Sequence, residues 1–338
     1  MSSTARDQVS PERIYQFAWG YSAPLILEAG IRNRVFDVLD EGPKAVAQVA
    51  AATGASKRGL TILMNALVGF EFLSKDAEQR YALTPESATF LVSTKPSFQG
   101  GIIKHCSEQL IPKWLQLNQI VATGAPAQKA NSQEGGEFFE SFVADIFPMS
   151  YQAAQVAADA LGIENSTDPV KVLDIGTGSG VWGIAMAQKS PKVTVTAVDW
   201  PNVFNVTRKM TQKFGVADRF QYVAGDLAEA DFGSGYNVAA VGHILHGEGP
   251  ERSQHLLRKV SNALGPGGTV VIAEYLVNQE RTSPLNGLIF AVNMLVNTEN
   301  GDTFSFEEIR GWLEAAGFTD VRSLEAPSPS PLILATKK

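Results

Sequence analysis

Three aspartates and two histidines in the second half of the chain stand where a reaction could be run. Asp174 closes the short apolar run VKVLD, Asp199 closes TVTAVD, and Asp226 closes RFQYVAGD, so three carboxylates fall at the ends of three successive β-like runs. His243 and His246 lie at the end of a fourth run, YNVAAVGHILHGEGPERSQ. Open α/β sheets bind ligands beyond the carboxyl ends of their strands. Acids gathered there attract a cation, and an imidazole, which titrates near neutrality, can accept a proton beside it. In an extended segment a spacing of three sends His243 and His246 to opposite faces, leaving one of them for the ligand.

The element that positions the first acid is KVLDIGTGSGVWGIAMAQ, Lys171 to Gln188: a buried strand, a glycine loop and a helix start with Ile184, Ala185 and Ala187 as its apolar face. Gly176, Gly178 and Gly180 let the main chain approach a ligand closely. Gly178, Gly180 and Gly183 also satisfy the dinucleotide pattern G-x-G-x-x-G, which alone says little. Asp174 at the mouth of the loop decides between ligands, because it repels a pyrophosphate and attracts the ammonium and sulfonium charges of S-adenosylmethionine. Asp199, 25 residues further on, is placed for both ribose hydroxyls. Asp226 is placed to accept from the adenine amine.

These residues resemble the class I S-adenosylmethionine-dependent methyltransferases, and more closely the small-molecule O-methyltransferases of plant secondary metabolism and their bacterial relatives, over nearly the whole chain. DIGTGSG, DWPNV (Asp199 to Val203) and GDL (Gly225, Asp226, Leu227) match the family's cofactor motifs in order and spacing. The resemblance implies that Trp200 packs on the adenine or ribose. It implies that His246, in a Leu-His pair, is the base that takes a phenolic proton as the oxygen attacks the methyl group. Glu274 is implied to orient that base. The family's Asp-Trp after the histidine is here Gly247 and Glu248, and its second clamping acid falls at Thr303, with Asp302 beside it as a substitute. These departures lie at the chemistry and leave the cofactor motifs intact.

Around that site the chain divides into residues 1–97, a helical connector 98–165, and a cofactor-binding region 166–338. The expected fold is a Rossmann-like seven-stranded methyltransferase sheet, parallel with a C-terminal antiparallel hairpin, plus a mainly α winged-helix-like dimerisation domain. Strands are expected near 170–175, 194–199, 219–224, 236–243 and 268–275, and DVRSLEAPSPSPLILATKK supplies the hairpin. VAQVAAATGASKRGLTILMNAL reads as helix, turn, helix, with Gly54 in the turn and Ser56 as N-cap, followed by two short β-like runs. Such a module also reads DNA in transcription regulators. Residues 1–100 carry ten basic and ten acidic side chains, however, and the second helix offers only Lys57 and Arg58 before turning apolar. The resemblance makes the module a dimerisation domain, with Phe17 to Gly42 as its leading helices. By the same resemblance Phe142, Phe147 and Met149 of the connector, and Phe290, Asn293, Met294 and Asn297 of an apolar helix, line the acceptor pocket.

Composition bounds the rest. The 338 residues, 44% hydrophobic, suffice for two cores, and a net charge of −7 disfavours nucleic acid. One cysteine and a polar, leaderless N-terminus suit a cytoplasmic protein, and no apolar run approaches a membrane span. The histidines (105, 243, 246, 255) are scattered without metal-site spacing. The expectation is a metal-independent methyl transfer from S-adenosylmethionine to a hydroxyl of a small aromatic acceptor, by a homodimer. Methylation of nitrogen or carbon, or a non-methylating use of the cofactor, is the first alternative, and the winged-helix regulator the second.

Overall fold

The computed structural model describes residues 9–126 and 143–338. Phe142 of the expected pocket lies outside them. The chain forms two units, Met1–Ile111 and Pro112–Lys338.

The first unit is built on the helix-turn-helix pattern. The helix Val46–Thr53 ends at Gly54, whose φ of +74° reverses the chain. Ser56 then caps the helix Lys57–Gly69 by accepting from the Gly59 amide at 3.3 Å. That helix turns Leu60, Met64 and Leu67 into a core with Phe36, Leu39 and Tyr81. Burial of its apolar face fits the low basic charge and leaves no phosphate-binding stripe. Strands β2 (Leu73–Lys75) and β3 (Arg80–Leu83) form the expected wing. A third strand, β1 (Lys44–Ala45), pairs with β3, and two residues are too few to show a period in sequence. The helices Glu12–Ala18 and Ser22–Arg32 and the turn between them carry the other side of the pattern: Ile14, Tyr15, Phe17, Trp19, Tyr21 and Leu25 are exposed.

The second unit is organised by a seven-stranded sheet. Its strands are β4 (Val170–Ile175), β5 (Val193–Asp199), β6 (Phe220–Ala224), β7 (Tyr236–Gly242), β8 (Leu264–Ala273), β11 (Phe318–Leu324) and β12 (Leu332–Lys337). Their order is β11-β12-β8-β7-β4-β5-β6, and a separate parallel pair, β9 (Leu276–Val277) and β10 (Phe304–Ser305), flanks it. β4 to β8 run parallel, while β12 runs antiparallel to both β8 and β11, as the hairpin required. Alternate residues of each central strand feed two cores, Val172 and Val195 on one face, Leu173, Ile175 and Val198 on the other, which explains their near-continuous apolar sequences. The helix Val181–Lys189 is buried throughout Val181–Ala187, because the helix Phe147–Ala160 covers the side away from the sheet. The single apolar face expected for it was too narrow a reading. After β4 the chain winds towards β6, and β7 returns on β4's other side. The loops leaving β4 and β7 therefore part, opening the crevice where ligands of such sheets bind.

Candidate active site

Asp174 ends β4 with its side chain buried, 1% exposed. Its Oδ2 accepts from Thr177 Oγ1 at 2.9 Å and from the Gly183 amide at 3.0 Å, while Oδ1 is buried without a partner. Burial pushes its pKa up to about 7, against those two hydrogen bonds and with help from the charge of Asp199. Asp199 ends β5, receives the Gly178 amide at 2.8 Å on Oδ2 and the Trp200 amide at 2.7 Å on Oδ1, and is raised to about 6 by burial. Two neighbouring acids with raised values are short of a positive charge. The site therefore fits the cation and ribose of S-adenosylmethionine and does not fit a pyrophosphate.

The glycines serve the protein's own packing. Gly176 sits at φ +60°, and a Cβ there would fall 2.2 Å from Cδ1 of Ile244 in the β7 loop, so its missing side chain lets the two diverging loops meet. Gly225 donates to the Asp199 carbonyl at 3.1 Å, tying the β6 end to the β5 end. Asp226 Oδ1 accepts from the Ala228 amide at 2.7 Å and from Arg252 at 2.9 Å, so the acid expected at the adenine is already held by a cation. Lys259 holds the same loop by donating to the carbonyls of Leu227 and Ala230, both at 2.8 Å. Arg252 and Lys259 are additions to the expected set. Their signal in sequence was a spacing of seven on one helix, pointing back at the loop.

β7 stops at Gly242. His243 takes φ +62° and the helix Leu245–Ala263 begins two residues later, so the segment is not extended. The two histidines consequently share one side: their rings are 6.3 Å apart, and His243, His246 and Glu274 bring one ligand atom each within 4.8 Å of one another. This corrects both the opposite-face reading and the impression of scattered histidines. His243 is held neutral, its pKa lowered to about 4 by burial, and its Nδ1 is buried without a partner. His246 Nδ1 lies 2.5 Å from Glu274 Oε2. Glu274 Oε1 accepts from the backbone amides of Leu245 at 2.7 Å and His246 at 3.4 Å, so one carboxylate grips both ring and main chain. Burial raises the Glu274 carboxyl, but the His246 charge and hydrogen bonds outweigh it, and the group stays below the ordinary glutamate value. An ionised Glu274 accepts from Nδ1–H and leaves the Nε2 lone pair of His246 as a proton acceptor.

The kink after the histidine explains the departures from the family pattern. Gly249, at φ +74° and followed by Pro250, interrupts the helix. Its bare Cα admits the Asn300 carbonyl, which a Cβ would approach to 2.4 Å. Glu248 bridges the kink to Arg252 at 2.5 Å, and Arg252 reaches Asp226, linking the His246 turn to the loop after β6. Asp302 does not clamp the histidine ring. Its amide donates to the His246 carbonyl at 2.9 Å, while its carboxylate faces Arg281 at 3.3 Å. Thr303 is buried with an unpartnered hydroxyl.

The expected acceptor walls divide. Phe290 stands edge-on to His246 at 4.8 Å and stacks on Tyr275 at 3.8 Å, a residue the sequence reading missed although it follows Glu274 directly. Asn293 and Asn297 are joined at 3.1 Å on the same helix face, and Met294 is buried beside them. Phe147 is instead a core residue, stacked between Tyr151 at 5.1 Å and Phe214 at 4.9 Å, which corrects its place in the expected pocket. Met149 is half-buried on the helix that Phe147 begins, and Trp200 is half-buried beyond β5.

A Rossmann-like sheet closed by an antiparallel hairpin, with acids at β4 and β5 and a paired imidazole beyond β7, defines a class I methyltransferase. Comparison with known proteins agrees. Residues 132–319 match the O-methyltransferase domain model, and residues 15–93 match the O-methyltransferase dimerisation domain model. Relatives include the 3-hydroxy-5-methyl-1-naphthoate 3-O-methyltransferase of Streptomyces sahachiroi, 28% identical over 97% of this chain and 95% of that one. The tetracenomycin polyketide synthesis 8-O-methyl transferase of Streptomyces glaucescens is 25% identical, over 97% of each. Among solved structures, a protein of Nostoc punctiforme assigned to the O-methyltransferases superposes with a TM-score of 0.88 at 28% identity, over 98% of this chain and all of that one. The chain belongs to the O-methyltransferase family. It is an S-adenosylmethionine-dependent enzyme, and it carries a dimerisation domain; the DNA-reading alternative falls away.

Proposed function

We propose that His246 is the general base of O-methyl transfer to a small aromatic acceptor and that Glu274 holds it in the working tautomer. The 2.5 Å contact between His246 Nδ1 and Glu274 Oε2, on the side of the sheet where Asp174 and Asp199 stand, carries this reading. Asp199 would take the ribose, Asp226 the adenine amine, and Asp174 supply negative charge behind the loop of Gly176, Gly178 and Gly180. S-adenosylmethionine, when bound, presents a methyl carbon whose bond to sulfur breaks as the acceptor oxygen bonds to it. His246 Nε2 takes the hydroxyl proton in that step and releases it to solvent afterwards. Glu274 stabilises the resulting imidazolium, a role its ionised state supports. No metal is needed for this balance, since the imidazole itself activates the oxygen.

The Tyr275–Phe290 stack supports a flat ring as acceptor, and the named acceptors of the two Streptomyces relatives are aromatic polyketide-type molecules. The exposed apolar side chains of the first two helices, with the dimerisation-domain match, support a homodimer. Among the described residues no helix is long and apolar enough to cross a membrane. The single cysteine supports a reducing, cytoplasmic setting. A panel of phenols, anilines and carbon nucleophiles with labelled cofactor tests the reaction, wild type against His246→Ala. Label on oxygen, lost in the variant, is the expected result; label on nitrogen or carbon, or undiminished turnover in His246→Ala, contradicts it.

A further inference from the structure

The turn after β7 and the end of β8 gather three side chains of metal-ligating type. His243, His246 and Glu274 bring one ligand atom each within 4.8 Å of one another. Zinc bonds nitrogen and carboxylate oxygen at about 2.0 to 2.2 Å, so the ligand atoms of a tetrahedral site stand about 3.3 Å apart. The pair of His246 Nδ1 and Glu274 Oε2, at 2.5 Å, would open by about 0.8 Å to take an ion in place of its shared proton. Glu274 stays anchored as that pair opens, because its other oxygen, Oε1, holds the Leu245 and His246 amides. His243 is what singles the cluster out. Its Nδ1 is buried with no hydrogen-bond partner, whereas buried polar atoms are almost always paired, so its capacity to bind is unused. Its left-handed backbone, φ +62°, brings its ring centroid to 6.3 Å from that of His246. The base proposed above uses His246 and Glu274 and leaves His243 without a task.

We propose that His243, His246 and Glu274 form an inhibitory site for one divalent transition-metal ion of the zinc type, with water as its fourth ligand. Two imidazoles and a carboxylate suit zinc and its neighbours, whereas magnesium and calcium take oxygen ligands. An imidazole that gives its Nδ1 lone pair to a metal carries its proton on Nε2, and one that gives its Nε2 pair has none left to offer. Either way His246 can no longer take a proton from the acceptor. Glu274, once on the metal, no longer orients the ring. The ion therefore switches off a reaction that does not need it. The binding site stands on the geometry alone, and only its inhibitory effect rests on the O-methyl-transfer reading.

The test is calorimetry of the full-length, metal-stripped protein with zinc chloride, for wild type, His243→Asn and His255→Asn. Asparagine tolerates the left-handed backbone at 243 and is not a customary zinc ligand. His255 is exposed on the helix Leu245–Ala263 and serves as the control. The expected result is one zinc per chain in wild type and His255→Asn, a Kd raised about tenfold or more in His243→Asn, and no heat from magnesium chloride. Cobalt chloride should give wild type the visible bands of a four-coordinate ion. Absence of zinc binding or of those bands in wild type, or equal zinc affinity in wild type and His243→Asn, overturns the site. With a phenol that the enzyme methylates, zinc should stop wild-type turnover at concentrations that leave His243→Asn active, and a chelator should restore it. Turnover unmoved or raised by zinc overturns the inhibitory effect. If no phenol is methylated, that effect falls with the reaction reading, and calorimetry and the cobalt spectrum decide the site by themselves.

Discussion

His246 and Glu274 act as a pair, and each should fail in its own way. Removing the imidazole in His246→Ala should lower kcat by about 10² to 10⁴ and leave cofactor affinity intact by calorimetry. Glu274→Gln keeps size and hydrogen bonding but loses the charge that stabilises the imidazolium. Its kcat should fall by a smaller factor with cofactor affinity unchanged; a kcat equal to that of wild type would show that Glu274 merely packs. Asp174 makes a second prediction at this scale. Its folded value of about 7, and that of Asp199 of about 6, lie above those of an unfolded chain. The folded, ligand-free protein therefore binds extra protons, and its stability falls as pH rises from about 4 through about 7. A bound cation reverses that cost, so cofactor affinity should rise about tenfold or more between pH 5.5 and 8. A flat calorimetric profile would contradict this. Asp174→Asn should raise the ligand-free melting temperature at pH 8 while weakening cofactor binding.

Elements carry the next level of constraint, and here sequence and structure part company at particular places. The β4–glycine–helix unit was legible because buried strands, positive-φ glycines and strand-end acids each leave a local mark. The turn after β7 was not. Its period suggests an extended chain, but His243 adopts a left-handed conformation and the Glu274 carboxylate draws the Leu245 and His246 amides into a helical turn. That event depends on a strand 28 residues away. Phe147 misled for a related reason: an aromatic at a helix start looks the same whether Phe214 or a ligand covers it. Gly242 shows how closely these elements fit, since a Cβ there would fall 1.9 Å from Trp182 Nε1. Gly242→Ala should therefore cost about 1 to 3 kcal/mol in denaturant unfolding, by overpacking alone. Stability equal to wild type would mean that Trp182 yields freely.

For the whole molecule the test is association. The apolar side chains of Ile14, Phe17 and Trp19 are 68 to 69% exposed, an arrangement that a soluble protein covers with a partner. Sedimentation should find a dimer, and Phe17→Asp combined with Trp19→Asp should yield monomers whose far-ultraviolet spectrum is unchanged; a monomeric wild type would overturn the proposed homodimer. Local pattern determined much about this protein: the sheet, its hairpin, the helix-turn-helix module, the acids at the ends of β4 and β5 and the histidines beyond β7. These follow from periodicity and from residues whose chemistry is written beside them in the chain. Tertiary structure alone decided that His243 and His246 share one side, that Asp302 faces Arg281 while Glu274 meets the His246 ring, that Arg252 holds Asp226, and that Lys113 meets Asn297. Each of these is a contact between residues remote in sequence, fixed only when packed strands and helices bring their ends together.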